Sequence, residues 1–179
     1  MKKILLSLAI LALGPAFIHA QAGPSAEDIL KEACSIAGKE NKKVFVMFTA
    51  SWCGWCKRMD KSMADEDIHK YFDESFVVRH IVVDEFGNNK VLETPGGAAF
   101  RTKYGGDGQG IPFWLIFDDQ GALIADSMRP DGDTGNKLNS GCPAEDTEVD
   151  YFIGVLKRTT SISGDHLDKI RKRFLKNKG

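Results

Sequence analysis

A short apolar strand that leads directly into two closely spaced cysteines limits most strongly what this chain can fold into. The run VFVMFT, residues 44–49, is apolar at almost every position, which is typical of a strand covered on both faces. The segment WCGWCK, residues 52–57, follows at once, and from Cys53 onward the apolar spacing becomes helical. We therefore expect Cys53 and Cys56 at the junction between a central strand and a helix.

Strands and helices alternate along the rest of the chain. Further strands are predicted at residues 76–84, 112–118 and 122–128, the last two joined by a turn. Helices are predicted at residues 25–38, 53–63, 98–104, 145–159 and 164–176, with another that restarts at 65–67. Residues 129–144, rich in Gly and Asp, are expected to be a loop. The order predicts an α/β fold, a three-layer sandwich whose central mixed sheet of four main strands has helices on both faces.

The spacing of the two cysteines points to redox chemistry. Residues three apart in a helix are surface neighbours, close enough to form a disulfide. A cysteine at a helix N-terminus is stabilised as thiolate, the form that attacks disulfides, by free backbone N–H groups and the helix dipole. We therefore expect Cys53 to be the attacking thiol that faces solvent, and Cys56 to be the less accessible resolving thiol.

Three other interpretations of this pair have weaker support in the sequence. Zinc usually takes four ligands, but the chain has no second C-x-x-C and its histidines are scattered. A purely structural bridge would close a very small ring and gain little from chain entropy. A c-type haem needs a histidine after the second cysteine, where Lys57 stands. The sequence thus implies no metal or organic cofactor.

The first residues predict export. Lysines at positions 2 and 3 precede an apolar run over residues 4–13, which a Gly-Pro pair ends. This is the order of a secretory signal peptide, with cleavage after Ala20 or Ala22. We expect residues 1–20 to be the signal peptide and residues 21–179 to form a single domain with a C-terminal helical extension, in the periplasm or otherwise secreted.

Composition narrows the range of partners. The formal net charge is −1 at pH 7, which argues against a nucleic-acid binder. No segment after the predicted signal peptide is long and apolar enough to span a bilayer.

Two further cysteines, Cys34 and Cys142, have a separate interpretation. An oxidising compartment allows disulfides, and a structural bridge between Cys34 and Cys142 would close a long loop and stabilise the fold. The alternative is that Cys34, on the apolar side of the first helix, is a small core residue.

The chain resembles the thioredoxin superfamily over roughly residues 43–128. The resemblance is carried by VFVMFTASWCGWCK (residues 44–57), AAFRTKYGGDGQGIPFWLIFDDQG (98–121) and the strand that ends at Asp84. A W-C-x-x-C-K motif after an apolar strand, combined with G-I-P before the next strand, is specific. The chain is most similar to secreted bacterial thioredoxin-like proteins with a Cys-Gly-Trp-Cys centre.

This resemblance implies roles for several residues. Cys53 and Cys56 match the redox pair, and Pro112 matches the proline that is cis in this fold. Ile111 would offer its backbone N–H and C=O to an extended substrate segment. Trp52 would flank the site as an apolar contact surface, with simple packing as the alternative.

Two departures from thioredoxin bear on function. Met47 stands where thioredoxins have a buried aspartate that helps to deprotonate the second cysteine, so the sequence assigns no proton acceptor to Cys56. The segment of residues 85–97 is longer than in a minimal thioredoxin, and it either shapes partner choice or is a solvated surface loop.

The function we expect is that of a protein thiol–disulfide oxidoreductase. It would act through a mixed disulfide on the thiols and disulfides of exported proteins, and a redox partner protein would restore it. Reductase, oxidase and isomerase would use the same two thiols. The alternative is a binding or adaptor protein that has the same fold and an inert disulfide.

Overall fold

The computed structural model describes residues 23–132 and 134–178, so the predicted signal peptide lies outside the described residues. The helices are Ala26–Glu40 (α1), Gly54–Met63 (α2), His69–Ser75 (α3), Gly97–Lys103 (α4), Asp146–Thr159 (α5) and Gly164–Leu175 (α6). The strands are Lys43–Thr49 (β1), Phe76–Val82 (β2), Phe113–Phe117 (β3), Leu123–Asp126 (β4), Met128–Pro130 (β5) and Lys137–Asn139 (β6). Two short 3₁₀ helices span Gly87–Leu92 and Lys176–Lys178.

Four strands form the central sheet in the order β2-β1-β3-β4. β1 pairs parallel with β2 and antiparallel with β3, and β4 pairs antiparallel with β3. The predicted mixed four-stranded sheet is therefore confirmed. The two central strands both reach the site: β1 ends shortly before Cys53, and β3 begins directly after Pro112.

Both faces of the sheet are covered, which explains why β1 is apolar at nearly every position. Phe45 and Met47 belong to a core cluster with residues of α2, α3, α5 and α6. Val44, Val46 and Phe48 belong to a second cluster with residues of α1 and α4. The predicted helices on both faces are confirmed, and the start of α2 is held against the end of β1.

Local sequence explains the bounds of α1. The Ser25 hydroxyl accepts a hydrogen bond from the Asp28 backbone N–H, and the Asp28 carboxylate accepts one from the Ser25 N–H. This reciprocal capping starts the helix as predicted. The helix passes the predicted end at Gly38 and stops at Asn41, whose φ of 54° is left-handed, because asparagine tolerates that conformation.

Two predicted elements differ from the structure. Residues 129–144, predicted to be a loop, include most of β5 and all of β6, which pair with each other. The sequence missed them because strands of three residues are too short to show an alternating pattern. The helix predicted to restart at residues 65–67 begins at His69. Residues 65–68 form a turn instead, in which the backbone N–H groups of Ile68 and His69 both donate to the Asp65 carbonyl.

No helix in residues 23–132 or 134–178 has the length and apolar character needed to cross a membrane.

Candidate active site

Cys53 and Cys56 form a disulfide at the N-terminus of α2, with their Cα atoms 5.3 Å apart. Cys53 is the N-cap of this helix, and its Sγ accepts a hydrogen bond from the backbone N–H of Cys56 at 3.1 Å. That N–H is one of the donors that the first turn of a helix leaves unpaired. The arrangement places the sulfur of Cys53 where negative charge is stabilised.

The two cysteines differ in accessibility less than the sequence predicted. Cys56 is fully buried, and Cys53 is only 3% exposed. Ala50 and Ile111 pack against the pair. The predicted order of accessibility is confirmed, but the prediction that Cys53 faces solvent is wrong for this disulfide form, because residues on both sides of the pair cover it.

The loop before β3 lies against the disulfide. The Ile111–Pro112 peptide bond is cis, as the resemblance implies. The carbonyl oxygen of Ile111 lies 3.6 Å from Cys53 Sγ. This contact places the backbone of Ile111 beside the reactive sulfur, which is the position that its predicted role in substrate binding requires.

The side chain of Asn139, in β6, holds this loop through hydrogen bonds to its backbone. Its side-chain Nδ2 donates to the carbonyl oxygens of Gly110 at 2.7 Å and Pro112 at 3.1 Å. Its Oδ1 accepts a hydrogen bond from the Gly141 backbone N–H at 3.1 Å. Sequence reasoning missed Asn139, because a polar residue in a segment predicted to be a loop gives no sign of a distant partner.

Trp52 is exposed yet fixed in place. Its indole Nε1 donates to the Asp84 carbonyl at 2.8 Å, and its ring contacts that of Phe86 with centroids 5.5 Å apart. Asp84 has a left-handed φ of 57°, and its carboxylate accepts two hydrogen bonds from the Arg101 guanidinium. Trp52 is therefore held beside Cys53 at the surface and is not part of the core.

Glu85 is the one carboxylate that is buried within the described ranges, at 1% exposure. One oxygen accepts from the Ser51 backbone N–H at 2.5 Å, and the other accepts from the Ser51 hydroxyl at 2.8 Å. Its own backbone N–H donates to the Glu93 carboxylate at 2.9 Å. Sequence reasoning left the segment that begins at Glu85 either to shape partner choice or to be a solvated surface loop, and it assigned no role to Glu85, although a charge directly after a strand was the available signal.

Met47 is buried in the core, as expected from its place in β1. The hydrogen bonds of the Glu85 carboxylate go to Ser51 in the loop before Cys53. The Glu85 carboxylate thus holds the loop that precedes Cys53. Its position in the chain differs from that of the thioredoxin aspartate, which corresponds to Met47.

A groove of about 310 Å³ lies between Trp55, the cis-proline loop and the segment that contains Asn139. Trp55, Ile111 and Pro112 line its end near the cysteines, and Asn139 and Glu148 are among the residues that line the rest. The Arg58 guanidinium lies 4.7 Å from the centroid of the Trp55 ring. The groove therefore shares Ile111 with the contacts of the disulfide.

Of the two alternatives for Cys34 and Cys142, the disulfide is not formed, and both residues are free cysteines. Cys34 packs against the cluster on the α1 face of the sheet, whereas Cys142 belongs to the cluster on the α5 face. The sheet separates them. Burial raises the pKa of the Cys142 thiol to about 12, and burial with the nearby Asp118 and Asp119 raises the pKa of Cys34.

A protein-family model described as thioredoxin-like matches residues 25–119, more than half of the chain. The chain belongs to the thioredoxin-like family. The matched residues of this thioredoxin-like protein include both cysteines, the cis proline and the first three strands of the central sheet.

Several solved structures are similar to this thioredoxin-like protein. One is a disulphide isomerase from Xylella fastidiosa Temecula1, 25% identical, with 64% of this chain and 80% of that chain covered and a TM-score of 0.46. Another is the oxidised DsbD C-terminal domain of Neisseria meningitidis, 22% identical, with 76% and 97% covered and a TM-score of 0.46. A third is a thioredoxin-fold protein from Helicobacter pylori, 16% identical, with 76% and 84% covered and a TM-score of 0.42. A comparison with curated protein sequences gave no significant match.

Proposed function

We propose that this thioredoxin-like protein is a thiol–disulfide oxidoreductase that exchanges disulfides with other exported proteins. The observation that carries the proposal is the Cys53–Cys56 disulfide at the N-terminus of α2, with the Cys53 sulfur accepting the backbone N–H of Cys56. A sulfur held there ionises more readily than a free cysteine. Membership of the thioredoxin-like family supports the same chemistry.

The reaction proceeds in two exchange steps. In the reduced protein, the Cys53 thiolate attacks one sulfur of a substrate disulfide, so that a Cys53–substrate bond forms, the substrate S–S bond breaks, and the released thiolate takes a proton from water. Cys56 then loses its proton to solvent, and its sulfur attacks Cys53. The Cys53–Cys56 bond forms and the second substrate thiol leaves, so two electrons have passed to the substrate. The same steps in reverse oxidise a substrate dithiol.

Substrate contacts follow from the surroundings of Cys53. The Ile111 backbone, next to cis Pro112, lies beside the reactive sulfur and would pair with an extended segment of the substrate. The exposed Trp52 ring would contact the same segment. Cys56 is fully buried and Cys53 is 3% exposed, which supports Cys53 as the thiol that makes the first attack.

Insulin reduction and partner trapping test this proposal. We expect Cys53→Ser to abolish insulin reduction, and we expect Cys56→Ala to retain mixed disulfides that dithiothreitol releases and that peptide mass spectrometry assigns to Cys53. Cys34→Ser, which alters a cysteine outside the site, is the matched control and should keep normal activity. Equal activity of Cys53→Ser and the unaltered protein would remove Cys53 from the mechanism.

A second candidate function is a binding protein with an inert disulfide, and the 3% exposure of Cys53 favours it. An inert disulfide would have a reduction potential below about −300 mV, and the Cys56→Ala variant would trap no partner. A potential above that value, together with trapped partners, would rule this candidate out.

Export is the part of the proposal that depends on residues 1–22. The basic start, apolar run and small residues at Ala20 and Ala22 support it. Expression of the full chain in a bacterial host, followed by mass measurement of the periplasmic product, should give a mature N-terminus at residue 21 or 23. An uncleaved product in the cytoplasm would contradict export and leave the redox proposal unaffected.

A further inference from the structure

An apolar ridge projects from the surface next to the disulfide. It consists of Trp52, Phe86, Val91 and Leu92, all of which are exposed, with Phe86 at 68% and Val91 at 88%. Trp52 directly precedes Cys53, and the other three residues belong to the 3₁₀ helix after β2 or to its N-cap. Exposed apolar side chains that occur singly are ordinary, but several of them on one short helix and the segment beside it, next to a reactive site, mark an interaction surface.

The ridge is continuous with the active site. The rings of Trp52 and Phe86 are in contact, with centroids 5.5 Å apart. Asn89, within the 3₁₀ helix, donates a hydrogen bond to the Ser51 hydroxyl at 3.3 Å. The 3₁₀ helix and the loop that precedes Cys53 are therefore tied together as one surface.

The charged groups around the ridge are either paired within the chain or buried. Lys90 forms an ion pair with Glu93 at 2.8 Å, and Arg101 forms one with Asp84 at 2.6 Å. The Glu85 carboxylate is buried and faces Ser51. The ridge thus offers an apolar surface on which the neighbouring charges are paired within the chain or, for Glu85, buried, which fits an apolar partner better than a basic or acidic one.

We propose that the apolar ridge docks an apolar segment of a partner protein, a segment that lies within a few residues of the cysteine that exchanges with Cys53. This inference rests on the proposed function, because the mixed disulfide is what brings the partner to this place. The bond to Cys53 places the partner backbone against Trp52. An extended chain advances about 3.3 Å per residue, so side chains two to four residues from the partner cysteine extend past Trp52 towards Phe86, whose ring contacts that of Trp52.

A second copy of this chain is a less suitable occupant. A stable dimer interface usually takes about 20–30 residues on each side, whereas the ridge has four large apolar side chains. The size of the ridge instead matches a short peptide segment, which is the unit that a disulfide-exchange reaction presents.

The decisive experiment compares two peptide disulfides and one small disulfide. The peptides carry the same cysteine, disulfide-bonded to a chromophoric thiol, with Leu and Phe as neighbours in one and Ser and Gln in the other; hydroxyethyl disulfide is the small substrate. We expect the double variant Phe86→Ser/Val91→Thr to lower kcat/KM for the apolar peptide by about tenfold. Its kcat/KM for the polar peptide and for hydroxyethyl disulfide should stay within about twofold.

The matched control removes apolar surface elsewhere. Leu123 and Ile124 are exposed on β4, at the opposite edge of the sheet from β2. Leu123→Ser/Ile124→Thr should leave all three rates unchanged. If the ridge double variant fails to fold, the single change Val91→Asp, at the most exposed position of the ridge, takes its place with the same expectation.

Each outcome separates the two proposals. Equal preference for the apolar peptide in the ridge variant and the unaltered protein would overturn the docking proposal and leave the proposed function standing. Failure of the unaltered protein to reduce hydroxyethyl disulfide would overturn the proposed function. A dimer in sedimentation that only the ridge variant dissociates would assign the ridge to a second copy and overturn docking of a partner segment.

Discussion

The two carboxylate oxygens of Glu85 hold Ser51 from two sides, one through its backbone N–H and one through its hydroxyl. Ser51 lies two residues before Cys53, so this buried charge fixes the chain at the point where it enters the active site. Burial of a carboxylate is costly unless hydrogen bonds satisfy it. The Ser51 hydrogen bonds therefore couple the folding of the segment after β2 to the geometry of the redox pair.

We expect Glu85→Ala to destabilise the protein by about 1–3 kcal/mol, because it removes two hydrogen bonds to a charged group. Urea unfolding of the oxidised protein measures this change. Glu74→Ala, at an exposed glutamate in α3, is the control and should stay within about 0.5 kcal/mol of the unaltered protein. A Glu85→Ala variant as stable as the control would mean that the Ser51 contacts contribute no net stability.

Asn139→Ala should slow disulfide exchange with peptides. The change removes the two hydrogen bonds that hold the Gly110 and Pro112 carbonyls, so the loop that presents Ile111 loses its brace. We expect kcat/KM for a peptide disulfide to fall by about threefold to tenfold, as each lost hydrogen bond contributes about 0.5–1.5 kcal/mol. Asn136→Ala, an exposed residue that precedes β6, is the control. An unchanged kcat/KM would show that the cis-proline loop holds its shape without Asn139.

The four cysteines should differ sharply in their reactivity towards a thiol reagent. In the reduced protein we expect Cys53 to react first and Cys142 to react at least about a hundredfold more slowly than a free cysteine, because so little of a thiol with a pKa of about 12 is ionised near pH 8. Alkylation followed by peptide mass spectrometry gives the order, and denaturation should make all four reactive. Fast native labelling of Cys142, or a peptide bridged between Cys34 and Cys142, would contradict the structure.

Much of this architecture could be predicted from residue patterns. The apolar run of β1, the capping residues of α1 and the C-x-x-C spacing are local signals, and the structure places each close to its predicted position. The fold follows from the order of these elements. The sequence therefore supplied both the fold class and the pair of cysteines at the centre of the site.

The features that could not be predicted depend on contacts between distant segments. Glu85 meets Ser51 across 34 positions, and Asn139 meets Pro112 across 27, so no periodicity within either segment reports them. The low exposure of Cys53 has the same origin, because Ile111, in the distant loop before β3, packs against it. The choice between a Cys34–Cys142 bridge and a core position for Cys34 stayed open for a similar reason, since sequence cannot show which side of a sheet each cysteine occupies.

A pH effect on stability should come from the pair of Asp65 and Arg173, which ties the turn after α2 to α6 at 2.5 Å. The hydrogen bond from Arg173 lowers the pKa of Asp65. A depressed pKa in the folded state contributes stability above the unfolded value of about 4, and this contribution is lost as the pH falls through the folded value.

We therefore expect Asp65→Asn to lower stability by about 0.5–1 kcal/mol at pH 7, since the pair is partly exposed, and the difference from the unaltered protein to shrink as the pH falls below the unfolded value of about 4. Thermal unfolding at several pH values measures it. Asp73→Asn, at an exposed position in α3, should show no such pH-dependent difference. A deficit of Asp65→Asn that is the same at pH 2 and pH 7 would contradict the assignment.

Titration of the Cys53 thiol tests the central claim most directly. Thiolate absorbance near 240 nm, followed against pH in the reduced Cys56→Ala protein and corrected with the Cys53→Ser/Cys56→Ala protein, isolates the Cys53 sulfur from Cys34 and Cys142. The position of Cys53 at the N-terminus of α2 predicts a pKa clearly below the value of about 8.5 for free cysteine, within the range of about 3.5–7.5 seen at such positions. A Cys53 pKa at or above 8.5 would contradict the account.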